Sequence, residues 1–355
     1  MDEAIRQLRE RIDALDAELL ERMNERARCA ARIGELKGES AVYRPEREAQ
    51  VLRRLTQINA GPLPPQAIQH LFTELISACR ALERRPVVAY LGPRGTFSEE
   101  AVLRQFGAAA DGLPVASISE VFRAVAAGEA SYGVVPVENS TEGGVGQTLD
   151  EMAASPLRIC AEVQLPIHHC LLAREASLDG LSTVYAHAQA LAQCNRWLTR
   201  HLPAAEHVAL SSNAEAARRA AGQPHAAAIA SAAAAPLYGL EVVRANSEDE
   251  PGNTTRFLVL GSQAVAASGR DRTSLVMAAA NRPGGLLQLL VPLARHGVSM
   301  TRLESRPSRL GKWDYLFFVD LEGHESDSAV AAALAEVGEK AAFCKILGAY
   351  PVAVA

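Results

Sequence analysis

The sequence lacks the long apolar runs that membrane proteins need. No run of about 18 apolar residues occurs among its 355 residues, although 48% of them are hydrophobic. The N-terminus, "MDEAIRQLRERIDALD", carries acids from its second residue and has no apolar segment of the kind found in secretory signals. These absences predict a soluble, cytoplasmic protein with no membrane partner.

Paired cysteines and basic tracts are also absent. The six cysteines are scattered without a CxxC pair, so neither zinc spacing nor a disulfide framework is visible. Lysine and arginine are spread along a chain of net charge −5, which argues against a general nucleic-acid binder. We therefore expect a reduced compartment, no metal site and no nucleic-acid partner.

The N-terminal segment has no proline and a single glycine between Asp2 and Lys37, and its apolar residues recur at helical spacing. This predicts one helix of roughly 50 Å, too long for a compact small domain, so we expect it to pack against a second copy. A second helix is predicted to begin at Pro45, and a third from about Pro64 to Arg84.

The character of the chain changes at Pro86. From there to about residue 261, apolar strands alternate with loops and helices, which is typical of an α/β domain. The small, polar stretch "SQAVAASGRD" is interpreted as a linker, and the rest predicts βαββαβ in an α+β domain. A length of 355 residues fits two or three domains, which we place at residues 1–85, 86–263 and 272–355.

Several charged residues lie in line with the apolar stripes of the predicted N-terminal helices. Arg26 and Lys37 share a face with Ile33, and Glu83 lies in line with Cys79. For any one residue, a long side chain reaching solvent from the rim of the stripe is the alternative interpretation. Several inward cations with few matching acids instead favour a small polyanionic ligand, and arginine suits carboxylates.

The stretch "LRERIDALDAELLERMNERARCAARIGELK", followed by "YRPERE", resembles the AroQ-type chorismate mutase domain, an intertwined all-α dimer that converts chorismate to prephenate. The resemblance implies the following substrate-binding residues, one of the arginines coming from the partner chain: Arg9, Arg26, Arg47, Glu48 and Cys79. It also implies that Lys37 reaches the ether oxygen, and that Glu83 stands where a glutamine donates to that oxygen. Because an ionised carboxylate cannot donate, mutase activity is expected to fall as pH rises.

Three segments of the middle region share one layout of apolar strand, polar glycine-containing loop and helix: "VVAYLGPRGTFSEEAV", "YGVVPVENSTEGGVGQTLDEM" and "TVYAHAQALAQCNRWL". Such loops expose backbone N–H groups at helix N-termini, where anions bind. A single loop is weak evidence, because its glycines are as well explained by plain turns, but several together favour a carboxylate pocket. No GxSxG motif occurs, so hydrolase chemistry gains little support. His168 and His169, in "LPIHHCLLA", are predicted to lie in a strand and to be structural.

The combination of "YLGPRGTFSEEA", "VVPVENSTEGGV", "AHAQALAQC" and "NTTRFLVLG" resembles prephenate dehydratase, a two-lobed α/β fold like that of periplasmic binding proteins. Its members convert prephenate to phenylpyruvate, with loss of water and carbon dioxide, in the cleft between the lobes and without a cofactor. The resemblance implies that Thr255 donates to the leaving hydroxyl, with Glu138 a candidate member of the network that replaces its proton. The implied substrate-binding residues are Thr96, Ser98, Asn139, Ser140, Gln189 and Arg256, the last of which would equally serve to brace the two lobes.

The C-terminal motifs "NRPGGLL" and "TRLESRP" resemble an ACT domain, a ferredoxin-like regulatory module that binds phenylalanine between two subunits in this family. The effector-binding residues that the resemblance implies are Asn281, Gly284, Leu286, Glu304, Ser305 and Arg306. The alternative is a dimerisation domain without a ligand.

Together the three resemblances cover essentially the whole chain. They imply a homodimeric bifunctional chorismate mutase/prephenate dehydratase that acts on chorismate and prephenate and is inhibited by phenylalanine. Three alternatives remain: a dehydratase whose helices only dimerise, a dehydratase that prefers arogenate, and a non-catalytic sensor of small carboxylates.

Overall fold

The N-terminal part is helical, as the periodicity predicts. The structure, a computed structural model, describes residues 2–37, 42–308 and 315–354. The three helices are α1 (Asp2–Lys37), α2 (Pro45–Ile58) and α3 (Pro65–Glu83). A proline at the first position of α2 and of α3 has no N–H to leave unpaired there. Within the described ranges, no helix combines the length and apolar character needed to cross a bilayer.

Among the residues that the structure describes, those of α1 are half-buried only in its C-terminal third. All residues from 2 to 25 are exposed, including the large apolar side chains of Ile5, Leu8, Ile12 and Leu15. Beyond that point, half-buried residues of α1 such as Arg26 and Ala30 face α3. The apolar stripe of α1 therefore continues far beyond the part that this chain covers.

The first lobe of the central region is built on a mixed sheet with the order β2-β1-β3-β11-β5, with β4 beside β3. Its strands are β1 (Val87–Leu91), β2 (Asp111–Val115), β3 (Tyr132–Asn139), β4 (Gly143–Gly144), β5 (Arg158–Pro166) and β11 (Thr254–Gly261). Its helices are α4 (Phe97–Phe106), α5 (Ile118–Ala126) and α6 (Gly146–Ala154). Strands β1, β2 and β3 run parallel, whereas β11 runs antiparallel to β3 and β5.

The second lobe has a separate sheet with the order β10-β6-β9-β7-β8. Its strands are β6 (Cys170–Ala173), β7 (Thr183–His187), β8 (Glu206–Leu210), β9 (Ala226–Ala230) and β10 (Glu241–Arg244). Its helices are α7 (Ala188–Gln193), α8 (Asn195–His201), α9 (Asn213–Ala221) and α10 (Ala234–Tyr238). The chain crosses between the lobes twice, from β5 to β6 and from β10 to β11, so the two-lobed α/β prediction is confirmed.

The prediction that His168 and His169 lie in a strand is wrong. Strand β5 ends at Pro166, and β6 begins only at Cys170. Proline has no N–H for the sheet ladder, and the next residues bond to the other crossing segment instead, where Ser247 N donates to the carbonyl of His169 at 2.7 Å. The two histidines therefore lie where the chain passes between the lobes.

The C-terminal part has the predicted order βαββαβ. Its elements are β12 (Asp271–Ala278), α11 (Gly285–Arg295), β13 (Met300–Pro307), β14 (Tyr315–Glu322), α12 (Ser328–Lys340) and β15 (Phe343–Pro351). They form an antiparallel sheet with the order β13-β14-β12-β15.

The three parts share buried contacts. Leu258 of the first lobe belongs to the same hydrophobic cluster as Phe318 and Tyr350 of the C-terminal part. On the other side, Tyr43 is only 1% exposed, and its ring centroid lies 4.7 Å from that of Phe106 at the end of α4. The first lobe is thus the common support of the helical and C-terminal parts.

Candidate active sites

The helical site lies where the C-terminal third of α1 meets α3. Nη1 of Arg26 donates to Sγ of Cys79 at 3.0 Å, and the side chain of Glu83 lies directly against Gly34. Three of the residues predicted from the stripes are therefore neighbours. The backbone of Lys37 ends α1, three residues beyond Gly34, and its side chain lies outside the described residues.

Glu48 is joined to this site through Arg80, a residue that the sequence analysis missed. Nη1 of Arg80 lies 2.7 Å from Oε1 of Glu48, and its Nη2 donates to the carbonyl of Phe106 at 2.6 Å. Burial raises the pKa of Glu48, while Arg80 and Arg26 act in the opposite direction. Arg80 lies four residues after Ile76, so the stripe rule that selected Glu83 also selects Arg80.

Two of the predicted arginines stand apart. Arg47 is exposed on α2, and Arg9 is exposed on α1. Arg9 precedes Arg26 by 17 residues, which is about 25 Å along a helix at about 1.5 Å per residue. Arg9 therefore does not reach the Arg26 site of its own chain.

The contact between Gly34 and Glu83 gives a test of this site. A Cβ at position 34 would lie 2.6 Å from three side-chain atoms of Glu83, so Gly34→Ala must displace that flexible carboxyl group. We expect the mutase rate to fall by on the order of 10²-fold, because catalytic groups tolerate little misplacement. We expect stability to rise by up to about 1 kcal/mol, because alanine favours a helix interior.

The measurements are mutase kcat and the thermal midpoint. Gly338→Ala is the matched control, since Gly338 also lies inside a helix, α12, and a Cβ there meets nothing within 4 Å. This control should leave the mutase rate unchanged. An unchanged rate in Gly34→Ala would show that the position of Glu83 does not matter to the mutase.

The second site is a cavity of about 270 Å³ between the two lobes. Five of the residues predicted for substrate binding or catalysis line it: Thr96, Ser98, Asn139, Gln189 and Thr255. The other polar residues that line it are His169, His187, Gln193, Ser211, Ser212, Asn213, Ser231 and Asn253. Segments from both lobes therefore meet at this cavity, as the resemblance implies.

No Lys, Arg, Asp or Glu occurs among the described residues that line this cavity. Its anion-binding groups are instead neutral donors and helix N-termini. Thr96 caps α4, where its hydroxyl accepts from Glu99 N, and Ser212 caps α9, where its hydroxyl accepts from Glu215 N at 3.1 Å. Helix α9 was not predicted, although "SNAE" at its start has the Ser-x-x-Glu spacing of a capping box.

Thr255 and Asn139 are paired across β11 and β3, and both face the cavity. Nδ2 of Asn139 donates to Oγ1 of Thr255 at 2.8 Å. Because this bond occupies a lone pair of the threonine oxygen, the hydroxyl hydrogen of Thr255 remains available for a ligand in the cavity. Thr255 is 8% exposed, so a bound ligand would meet it away from bulk water.

Glu138 and Arg256 lie on the opposite face of the same two strands, because successive residues of a strand point to opposite faces. Oε2 of Glu138 lies 3.3 Å from Nε of Arg302 in β13. Arg256 contacts Glu162 at 2.7 Å and Asp320 of β14 at 2.6 Å. Within the described parts of the chain, these placements correct two expectations. Glu138 has no bond to the network of Thr255, and Arg256 joins the first lobe to the C-terminal part, not lobe to lobe.

The charges at this joint are buried together. Burial alone would raise the pKa of Asp320, but the neighbouring Arg256 guanidinium holds it below its usual range. Ser140, also predicted to bind substrate, is outside the cavity lining, and its hydroxyl accepts from Thr254 N at 3.0 Å. It holds the end of β3 against β11.

The residues predicted to bind the effector fall into two groups. Asn281 is exposed before α11, and Gly284, with φ of 76°, is the residue directly before the helix. Leu286, in the first turn of α11, packs on the C-terminal core. Strand β13 contacts the first lobe: Glu304 lies against Gly144, and Arg306 lies against Gly146 and 3.1 Å from Asp150. Ser305, between them, is exposed.

Comparisons with known proteins agree with the three resemblances seen in the sequence. Family models match in order: chorismate mutase type II at residues 8–84, prephenate dehydratase at 88–265 and ACT domain at 273–339. A bifunctional chorismate mutase/prephenate dehydratase of Neisseria gonorrhoeae is 52% identical, over 100% of this chain and 99% of that protein. The protein of the same name from Pseudomonas aeruginosa is 49% identical, over 99% and 98%.

A solved structure extends the agreement to the fold. Prephenate dehydratase from Arthrobacter aurescens, in complex with L-Phe, is 37% identical, with a TM-score of 0.70 over 75% of this chain and 89% of that one. With full-length relatives above 30% identity and all three family models in order, the chain belongs to the family of bifunctional chorismate mutase/prephenate dehydratases.

Proposed function

We propose that this chain converts chorismate to prephenate at the helical site and prephenate to phenylpyruvate in the cleft, as steps of phenylalanine biosynthesis that phenylalanine inhibits. The observation that carries the proposal is the cleft cavity, where the hydroxyl of Thr255 is held by Asn139 and no charged residue is among the described lining residues. Such a cavity suits a reaction in which a carboxylate is lost. The order of the three family matches supports the same assignment.

The mutase reaction needs no nucleophile, because it is an intramolecular rearrangement. Arg26 binds a carboxylate and holds the substrate in its compact, reactive conformer. Lys37 and a protonated Glu83 donate to the ether oxygen, where negative charge develops as the C–O bond breaks. Glu48 accepts from the ring hydroxyl, and Arg80 keeps its carboxylate in place.

The dehydratase reaction breaks two bonds of prephenate. Neutral donors and the N-termini of α4 and α9 hold the carboxyl group and the keto oxygen of the substrate side chain. Thr255 donates a hydrogen bond to the ring hydroxyl, which departs with its bonding electron pair as hydroxide and takes a proton from solvent to become water. The bond to the ring carboxylate breaks, its electron pair enters the ring, and carbon dioxide departs. Because the described residues that line the cavity include no cation, the ring carboxylate is poorly stabilised there, and its loss is favoured.

The active assembly is a homodimer formed through α1. The exposed stripe of residues 2–25 extends beyond α3, and a second copy of α1 would cover it. The partner's α1 would also supply Arg9, which lies about 25 Å from Arg26 along its own helix. The six free cysteines fit a reduced compartment, for which we propose the cytoplasm.

The proposal is tested by incubating the pure protein with chorismate, and separately with prephenate, with and without phenylalanine. Phenylpyruvate is measured by its strong ultraviolet absorbance in alkali. We expect product from both substrates and less product when phenylalanine is present. A sensor would give no product, and a dehydratase with inert helices would give product from prephenate alone.

A further inference from the structure

His169 lies in the cavity wall but has no place in the mechanism above. It is 3% exposed, in the segment between β5 and β6, with its ring edge-on to Phe97 of α4. Its Nε2 lies 2.8 Å from Oε1 of Gln193, at the end of α7. Its Nδ1 has no hydrogen-bond partner among the described residues. A buried histidine with one ring nitrogen engaged and the other unpaired calls for an explanation.

The direction of the hydrogen bonds around Thr255 is set by backbone donors. Oδ1 of Asn139 accepts from the backbone N–H groups of Thr141, at 3.0 Å, and Glu142, at 3.2 Å. An N–H can only donate, so this atom must be the amide oxygen of Asn139. Its other terminal atom is then the NH2 group, which donates to Oγ1 of Thr255 and to Oδ1 of Asn253, both at 2.8 Å.

The donor and acceptor roles can be followed from Asn139 to His169. With its oxygen engaged by Asn139, Asn253 presents its NH2 group to Oε1 of Gln193 at 3.3 Å. The hydroxyl of Thr141 donates its hydrogen to Oδ1 of Asn139 at 2.6 Å, so it accepts from Gln193 at 3.3 Å, and the atom of Gln193 that faces it is the NH2 group. His169 must therefore donate through Nε2, so that the neutral ring carries its proton there and leaves Nδ1 unprotonated.

We propose that His169 and Gln193 are positioning residues for the dehydratase reaction: they fix the amide of Asn253, and through Asn139 they orient the hydroxyl of Thr255 towards the leaving group. This inference rests on the proposed role of Thr255. If either residue of the pair is lost, Asn253 can rotate and turn its NH2 group towards the NH2 group of Asn139. Two donors that face each other repel, so the amide of Asn139 moves away from Oγ1 of Thr255.

Protonation of His169 disfavours the arrangement, because the ring must move from its place beside Gln193 to find an acceptor for its second N–H. A second proton on Nδ1 would be a buried N–H with no acceptor among the described residues. Burial lowers the pKa of His169, so the neutral ring prevails above that value. The groups that face it are Gln193, Phe97, the carboxylate of Glu248, which accepts from the backbone N–H of His169, and the neighbouring His168. The dehydratase rate should fall as pH drops through the pKa of His169 and the imidazolium forms.

Two substitutions separate positioning from simple packing. In His169→Gln the amide nitrogen can take the place of Nε2, and the side chain does not titrate. In His169→Asn the amide nitrogen takes the place of Nδ1 and cannot reach Gln193. We expect His169→Asn to lower dehydratase kcat by on the order of 10²-fold with KM changed less than about threefold. We expect His169→Gln to stay within about fivefold of the wild type and to lose the fall in rate at acid pH.

His168→Asn is the matched control, because His168 is exposed, bonds Glu248 through Nδ1 and does not line the cavity. It should behave as the wild type, and mutase activity reports folding in every variant. Equal rates for His169→Asn and His169→Gln, or an acid-side fall that persists in His169→Gln, would overturn the positioning role. Full dehydratase activity in Thr255→Val would instead refute the proposed role of Thr255 itself, so the two failures are distinguishable.

Discussion

Replacing Thr255 with valine is expected to lower dehydratase kcat by on the order of 10³-fold and to leave the mutase rate unchanged. Valine has nearly the same shape, so the substitution removes the hydroxyl without opening a cavity. The amide of Asn139 then loses its acceptor, and the departing hydroxyl of the substrate loses its only proposed donor. The measurement is phenylpyruvate formation from prephenate, with mutase activity of the same protein as the folding reference.

Two further variants sharpen this test. Thr255→Ser keeps the hydroxyl and should retain most of the activity. Thr254→Val changes the neighbouring threonine, whose side chain is absent from the cavity lining and whose hydroxyl donates to the carbonyl of Gly252 at 3.4 Å. It should leave kcat within about threefold of the wild type, as expected for a surface substitution away from the site. A loss in Thr254→Val as large as in Thr255→Val would attribute the effect to strand β11 and not to one hydroxyl.

The mutase reaction is expected to slow as pH rises, because Glu83 stands where the ether oxygen needs a hydrogen-bond donor. Only a protonated carboxyl can donate to the ether oxygen, so the active fraction of the enzyme falls as the carboxylate forms. Glu83→Gln keeps a donor that does not titrate and should give a level profile. The measurement is kcat/KM for chorismate from about pH 5 to pH 9, compared between the two proteins.

The control for this prediction is Glu74→Gln. Glu74 lies on the same helix but points to the first lobe, where its Oε2 accepts from Ala108 N at 3.1 Å. This variant should retain the pH dependence of the wild type. A wild-type mutase rate that is level from acid to mildly alkaline pH would remove Glu83 from the proposed mechanism.

The helices were predictable because the spacing of their apolar residues shows which residues share a face. The residues of α3 that align at 100° per residue, among them Cys79 and Glu83, do share a face, and that face does meet Arg26. Arg80 was not predicted, because the partners of a buried cation were expected to be groups of a bound ligand. Its partners are Glu48 and a backbone carbonyl of another domain, which no pattern within the helices indicates.

The face of strand β3 on which Glu138 lies was not predictable, for a different reason. Strand β3 is covered on both faces, by the cleft and α4 on one side and by α5, α6 and the C-terminal domain on the other. Its residues therefore read as a continuous apolar run without alternation. Without alternation, the sequence does not reveal that Asn139 and Glu138 serve different neighbours. The role of His169 depends on hydrogen bonds among three segments far apart in the chain, and local signals do not contain it.

Helix α4 lies between the two sites and contributes to both. Its first turn, at Thr96 and Ser98, borders the dehydratase cavity, and its last residue, Phe106, offers the carbonyl that binds Arg80 of the mutase site. The ten residues of α4 thus direct the positive end of one dipole to the anion of the second reaction and the negative end to a cation of the first. A mutase fragment cut away from the rest would keep Glu48 but lose the carbonyl of Phe106, one of the two groups that bind Arg80. The fusion of the two enzymes is therefore structural and not merely a tether.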